Sequence, residues 1–132
     1  MNILVDTSVW SAALRRDSGT DSHHVNRLQS ALEGQDSVFT TGLILQELLQ
    51  GFSAPKSRDK ILEAFAALPF IIPDRKDHVD AAHLKIELRR KGVQAGTIDV
   101  LLAQLCVRHR LSILTLDSDF AHIARFTPLS LA

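Results

Sequence analysis

At 132 residues the chain suits one domain, spanning residues 1–132, and is long enough to bury roughly two-thirds of the surface its unfolded form would expose. Its 45% apolar content, without repeats or Pro/Gly/Ser-rich tracts, argues for a globular fold rather than disorder, and no stretch approaches the ~18 consecutive apolar residues of a membrane span. Fifteen basic residues balance fifteen acidic ones, so bulk charge carries no sign of nucleic-acid binding.

The single cysteine, Cys106, cannot form an internal disulfide and falls on an apolar helical stripe, where it reads as a small core residue. Asn2 and Asp6 interrupt the region where a signal peptide would need a basic start and an apolar core. The protein is therefore expected in the cytosol, away from membranes.

In chain order, Ile3-Leu4-Val5 is an apolar run ending in Asp6, the pattern of a strand buried on both faces of a parallel sheet. Thr7 to Arg16 has helical spacing through Val9, Ala12 and Ala13 and is ended by Asp17-Ser18-Gly19. A second helix from about Ser22 presents Val25, Leu28, Ala31 and Leu32, with Gly34 as its stop. Ser37 to Thr40 is short and β-prone. Leu43 to Phe52 is a strongly apolar helix, and Lys56 or Ser57 to Leu68 another, with Ile61, Leu62, Phe65 and Leu68 inward.

Phe70-Ile71-Ile72 before Pro73 reads as a third strand. Asp77 to Lys91 forms a long amphipathic helix through Val79, Ala82, His83, Ile86 and Leu88, closed by Gly92. A helix from Gly96 or Thr97 to about His109 precedes a fourth strand, Ser112 to Leu116, which runs into Asp117. A short helix begins near Asp119, and Thr127 to Leu131 is a candidate edge strand. Strands alternating with helices predict an α/β fold, a mainly parallel sheet of about four to five strands with helices on both faces.

Four carboxylates stand out, each with an ordinary alternative. Asp6 and Asp117 close the first and last core strands, where chemistry collects in parallel sheets, yet Asp6 also has the position of a helix N-cap. Glu47 lies at the rim of an apolar helical arc beside Gly51, where a ligand has room, as does a plain solvated edge. Asp99 shares a face with Leu102, Ala103 and Cys106, and an ionised group there is costly unless paired or coordinated. Its first-turn position gives it a structural reason as well.

Of the neighbouring acids near the last strand, Asp119 better complements the first helical turn and Asp117 better suits ligation. Two or more carboxylates converging from separate elements repel one another unless a cation sits among them. An all-carboxylate set suits Mg²⁺ or Mn²⁺, and zinc would more often want His or Cys. The histidines do not form such a set: His78 and His83 diverge on a helix, His23 and His24 are adjacent, and His109 and His122 stand alone. No Gly-rich phosphate loop, Gly-x-Ser-x-Gly elbow or CxxC is present.

With Val5-Asp6-Thr7-Ser8-Val9-Trp10, Leu45-Gln46-Glu47-Leu48-Leu49-Gln50-Gly51, Ile98-Asp99-Val100-Leu101-Leu102-Ala103 and Leu114-Thr115-Leu116-Asp117-Ser118-Asp119-Phe120 in that order, the chain resembles the PIN-domain family, and within it the VapC-type toxins of bacterial toxin–antitoxin pairs. The resemblance implies a compact α/β fold. It also implies a four-carboxylate site of Asp6, Glu47, Asp99 and Asp117 that holds Mg²⁺ or Mn²⁺ and cleaves RNA with a metal-activated water. Asp119 matches a variably acidic position, and Ser8 and Thr115 match small polar positions that orient the carboxylates or the water. A homodimer and a cognate VapB-type antitoxin are further implications.

Two rival classes remain open on the sequence. One is a PIN-like protein without a toxin role, either an RNA-processing nuclease or a non-catalytic RNA- or protein-binding module. The other is a receiver- or phosphatase-like phosphoryl-transfer domain, which needs a lysine beside its aspartates, and no lysine lies at a strand end.

Overall fold

The structure, a computed structural model, describes residues 1–15 and 22–132. Its centre is a parallel sheet of four strands, β1 (Asn2–Val5), β2 (Ser37–Phe39), β3 (Ser112–Leu114) and β4 (Ser130–Leu131), in the order β2-β1-β3-β4. Among the described residues seven α-helices flank it: α1 (Thr7–Leu14), α2 (Ser22–Ser30), α3 (Gly42–Gly51), α4 (Pro55–Ala66), α5 (Arg75–Arg90), α6 (Thr97–His109) and α7 (Asp119–Ala124). The expected contribution of Arg16 and the stop at Asp17-Ser18-Gly19 lie outside the described residues. No helix among the described residues is long and apolar enough to cross a membrane.

The sheet explains why the apolar runs are continuous. Ile3, Leu4 and Val5 are fully buried, as are Ile113 and Leu114, because β1 and β3 are interior strands covered on both faces. Leu102, Leu105 and Cys106 of α6, Ile44 and Leu48 of α3, and Phe120 and Ile123 of α7 complete the core. Burial pushes the Cys106 thiol up to about 12, so it is an inert core residue at neutral pH.

Several elements differ from the sequence expectation. Phe70-Ile71-Ile72 makes a single parallel bridge, Phe70 to Thr40, rather than a strand. The donors allow little more: Thr40 N–H reaches Pro69 O at 3.1 Å and Ile71 N–H reaches Thr40 O at 2.8 Å, and the prolines on either side, Pro69 and Pro73, have no N–H to extend a ladder. β3 stops at Leu114, short of the expected Leu116, and the Thr115 hydroxyl beyond it donates to Asp6 and accepts from Asp117 N–H. Thr127 is no strand residue. Its hydroxyl donates to Ile123 O and accepts from Leu129 N–H, a turn that leaves only Ser130–Leu131 for β4.

The face of α5 is also rotated from expectation. Val79, Ala82, His83 and Ile86 are exposed, and Asp77, Ala81 and Leu88 are buried. The cause is an ionic anchor: Asp77 forms a capping box with Asp74 at the start of α5 and accepts from the Arg108 guanidinium of α6. That fixes the i, i+4, i+11 line of α5 against α6. Leu62 of α4 and Leu32 are likewise exposed, and Leu32 lies in a π-helical turn (Ala31–Gln35) that follows α2 and bends at Gly34 with φ 104°.

Candidate active site

The strand order decides where the chemistry can gather. From β1 the chain passes to β2 on one side, then crosses to β3 on the other, so β1 and β3 are neighbours from which the connections diverge. Such a switch point opens a crevice beyond the carboxyl ends of the strands. Asp6 follows β1 directly and Asp117 comes shortly after Leu114, the last residue of β3, which brings both to that crevice.

Asp6 stands at the N-cap position of α1, but its carboxylate makes no capping bond. Instead Oδ2 accepts from Ser8 Oγ at 2.8 Å and from Thr115 Oγ1 at 2.8 Å. Each hydroxyl also accepts a backbone donor: Ser8 Oγ takes Leu116 N–H and Thr115 Oγ1 takes Asp117 N–H, both at 2.9 Å. The exits of β1 and β3 are thereby tied through the same two hydroxyls. Asp6 is only 7% exposed, and the positive end of the α1 dipole lies beside it.

Asp99 enters from the first turn of α6, half-buried beside that strand pair. Carboxylate oxygens of Asp99, Asp117 and Asp119 lie within 4.8 Å of one another. Burial pushes the Asp99 carboxyl up to about 6, and the charges of Asp117, Asp6, Asp119 and Glu47 add to the shift. All five acids therefore act on one region. Carboxylates at that separation repel one another, which is why Asp99 keeps its proton above the pH near 4 at which ordinary aspartates lose it. The donor set fits a hard divalent cation, whose charge would relieve the repulsion.

The close trio differs from the sequence reading in one member. The sequence gives Asp119 only a supporting place in the helix that follows; the structure brings it within ligand distance of Asp99 and Asp117. Asp117 Oδ1 takes the Asp119 N–H at 2.9 Å, which turns the chain so that both carboxylates face Asp99. Asp6 and Glu47 lie outside the trio.

Glu47 is exposed on α3 and accepts from Thr7 Oγ1 at 2.9 Å. Thr7 is absent from the candidates that the sequence suggests. Its one visible signal is a hydroxyl at the start of a helix, between the candidates Asp6 and Ser8. The α1 N-terminus thus uses two consecutive hydroxyls on two acids, Thr7 on Glu47 and Ser8 on Asp6.

The PIN domain family model matches residues 3–126. VapC ribonuclease Mb1587 from Mycobacterium bovis is 32% identical over 132 residues, covering 98% of this chain and 97% of its own. Ribonuclease VapC11 from Mycobacterium tuberculosis matches to the same extent. Among solved structures, VapBC-1 from nontypeable Haemophilus influenzae aligns with a TM-score of 0.76 at 16% identity, over 100% of this chain and 97% of that one. VapBC2 from Rickettsia felis, bound to a DNA fragment from its promoter, aligns with a TM-score of 0.74 at 20% identity, over 100% and 98% of the two chains. At these identities the structural likeness speaks for the fold. With a family match over most of its length and relatives aligned nearly end to end, the chain belongs to the PIN-domain family, in its VapC branch.

Proposed function

We propose that this chain is a Mg²⁺- or Mn²⁺-dependent endoribonuclease, the toxin of a type II toxin–antitoxin pair acting in the cytoplasm. The observation that carries the reading is the approach of Asp99, Asp117 and Asp119 within 4.8 Å of one another at the crevice where Asp6 is held. Asp6, Asp99 and Asp117 would hold the cation, with Asp119 as a further oxygen donor. When bound, the cation supplies a more acidic water and neutralises charge on the phosphoryl oxygens.

The chain's own residues supply position and proton traffic. Ser8 and Thr115 hold Asp6 in one rotamer and keep the exits of β1 and β3 at fixed spacing. Glu47, exposed and outside the close trio, is the carboxylate best placed to take a proton from the attacking water. Relatives named as VapC ribonucleases support the RNA substrate, and VapBC complexes among the structural neighbours support an antitoxin partner. A homodimer belongs to the same reading.

The test is direct. Purified chain incubated with single-stranded RNA should cut it in Mg²⁺ or Mn²⁺ and stop in EDTA, and the antitoxin encoded beside it should suppress cutting. RNA left whole with either ion, or cut equally in EDTA, would overturn the proposal.

Thr7 gives a finer check. Replacing Thr7 by Val removes the only side-chain bond to Glu47 seen among the described residues, and should lower activity or metal affinity by about 10–100-fold, as loss of an outer partner typically does. Thr7→Ser should restore it. A role in packing alone would leave the serine variant as impaired as valine, with kcat and the Mn²⁺ titration as the readouts.

A further inference from the structure

Beside the acid cluster lies a cavity of about 240 Å³, most of whose lining the proposed mechanism does not use. It sits where β3 gives way to α7, and Thr115 and Asp117 form the wall it shares with the carboxylates. Leu116, Ala121 and Leu131 are among its other lining residues, and His24 of α2 also reaches it. Leu116 and Leu131 are 38% and 47% exposed, two large apolar side chains left in solvent next to a charged site. Ser118, also at this cavity, is exposed and makes no capping bond to α7.

Size, lining and position narrow the occupant. The cavity is smaller than the ~300–1,000 Å³ pockets of drug-sized ligands, so it suits one ring system. Asp117 in its wall disfavours a phosphate, and the aliphatic side chains favour a flat, uncharged group that can lie against them. A guest seated there shares the Asp117 wall with the carboxylates that would act on the phosphodiester. Unpaired RNA bases are held in this manner, packed between apolar side chains and read at their polar edges.

We infer that this cavity seats the unpaired nucleobase flanking the scissile phosphate, with Leu116 and Leu131 against its faces and Ser118 at its edge. The inference rests on the ribonuclease reading and adds the source of sequence preference to it.

Ala121 is exposed on α7, so Ala121→Trp can fill the cavity without disturbing the core. Leu131→Ala, also at an exposed position, enlarges it. Wild-type chain and both variants would be given a randomised single-stranded RNA in Mn²⁺, and cut ends sequenced. Thermal melting and Mn²⁺ titration calorimetry would confirm folding and an intact metal site.

The expected result is a base preference at one position beside the cut in wild type, flattened by Ala121→Trp with KM raised about tenfold or more, and shifted towards larger bases by Leu131→Ala. Mn²⁺ affinity should be unchanged in both. Profiles and KM equal to wild type in both folded variants would overturn the inference while leaving the ribonuclease reading standing. The same holds if the variants lose only the capture of a protein partner. Wild-type chain inert towards RNA would remove the ribonuclease reading and the inference together.

Discussion

Replacing Asp99 by Asn should lower metal-dependent RNA cleavage by on the order of 10³-fold or more while making the metal-free protein more resistant to heat. The two effects share one cause. Burial and four neighbouring acids raise the Asp99 carboxyl to about 6 from an ordinary value of 3.8. A folded state that holds its proton more tightly than the unfolded chain is favoured at low pH and loses that advantage as pH rises from about 4 through about 6. Metal-free wild type should therefore melt lower at pH 8 than this group allows at pH 4, and asparagine removes the penalty.

The comparison needs four melting curves, wild type and Asp99→Asn at pH 5 and pH 8, in EDTA. The gain from asparagine should be larger at pH 8. Added Mn²⁺ should then raise the melting temperature of wild type above pH 6 and leave the variant nearly unmoved, because cation binding to a carboxylate cluster is stabilisation by mass action. A variant that cleaves RNA like wild type would remove Asp99 from the site. One that is inactive and also melts lower in EDTA would mean that its place in α6 is structural.

The second large effect lies far from the crevice. Replacing Arg108 by Met keeps the side-chain stem and removes the charge that Asp77 depends on. Asp77 is 1% exposed; its Oδ2 accepts from Arg108 and from Asp74 N–H, and its Oδ1 has no partner. A buried carboxylate left without its counter-ion is strongly destabilising, so the melting temperature should fall by several degrees.

The pH dependence of this pair runs opposite to that of Asp99. Burial would push the Asp77 carboxyl up, but the Asp74 backbone and the Arg108 guanidinium outweigh it and hold the group below the ordinary 3.8. Its stabilisation is present above that value and is lost as pH falls through the lowered one. In Arg108→Met the stability difference from wild type should shrink under acid. The double variant Asp77→Asn/Arg108→Met should recover part of the loss, since a neutral buried pair carries a smaller desolvation cost. Equal melting of wild type and Arg108→Met would refute the anchor.

This anchor also bears on the site. Arg108 ties the C-terminal end of α6 to the start of α5, and at the other end Lys85 Nζ donates to Ala95 O at 2.6 Å, just before Gly96 caps α6. Asp99 is held between those two fixings, in the first turn of the helix.

The helices and interior strands are legible in the sequence because their signals are local. Ile3-Leu4-Val5 and Ile113-Leu114 are buried on both faces and read so without knowledge of their neighbours. The orientation of α5 is not legible, because its apolar residues suggest one face and a buried aspartate selects another. No local pattern discloses an arginine 31 positions away. Phe70 to Ile72 has strand composition, but Pro69 and Pro73 on either side lack the N–H that would extend its pairing past the single bridge to Thr40.

By itself the sequence determined which acids were anomalous: Asp6 and Asp117 at the ends of apolar runs, Glu47 at the rim of an apolar helix, and Asp99 on a packed helical face. Cost is a local property, since an ionised group among aliphatic residues is unfavourable whatever the fold. Only the tertiary structure decided which of them meet. The order β2-β1-β3-β4 sets the ends of β1 and β3 side by side, the turn after Asp117 brings Asp119 into the close trio, and α1 delivers hydroxyls from Thr7 and Ser8 to two acids from separate elements. Distances between residues far apart in the chain are fixed by packing, and packing is a property of the whole chain.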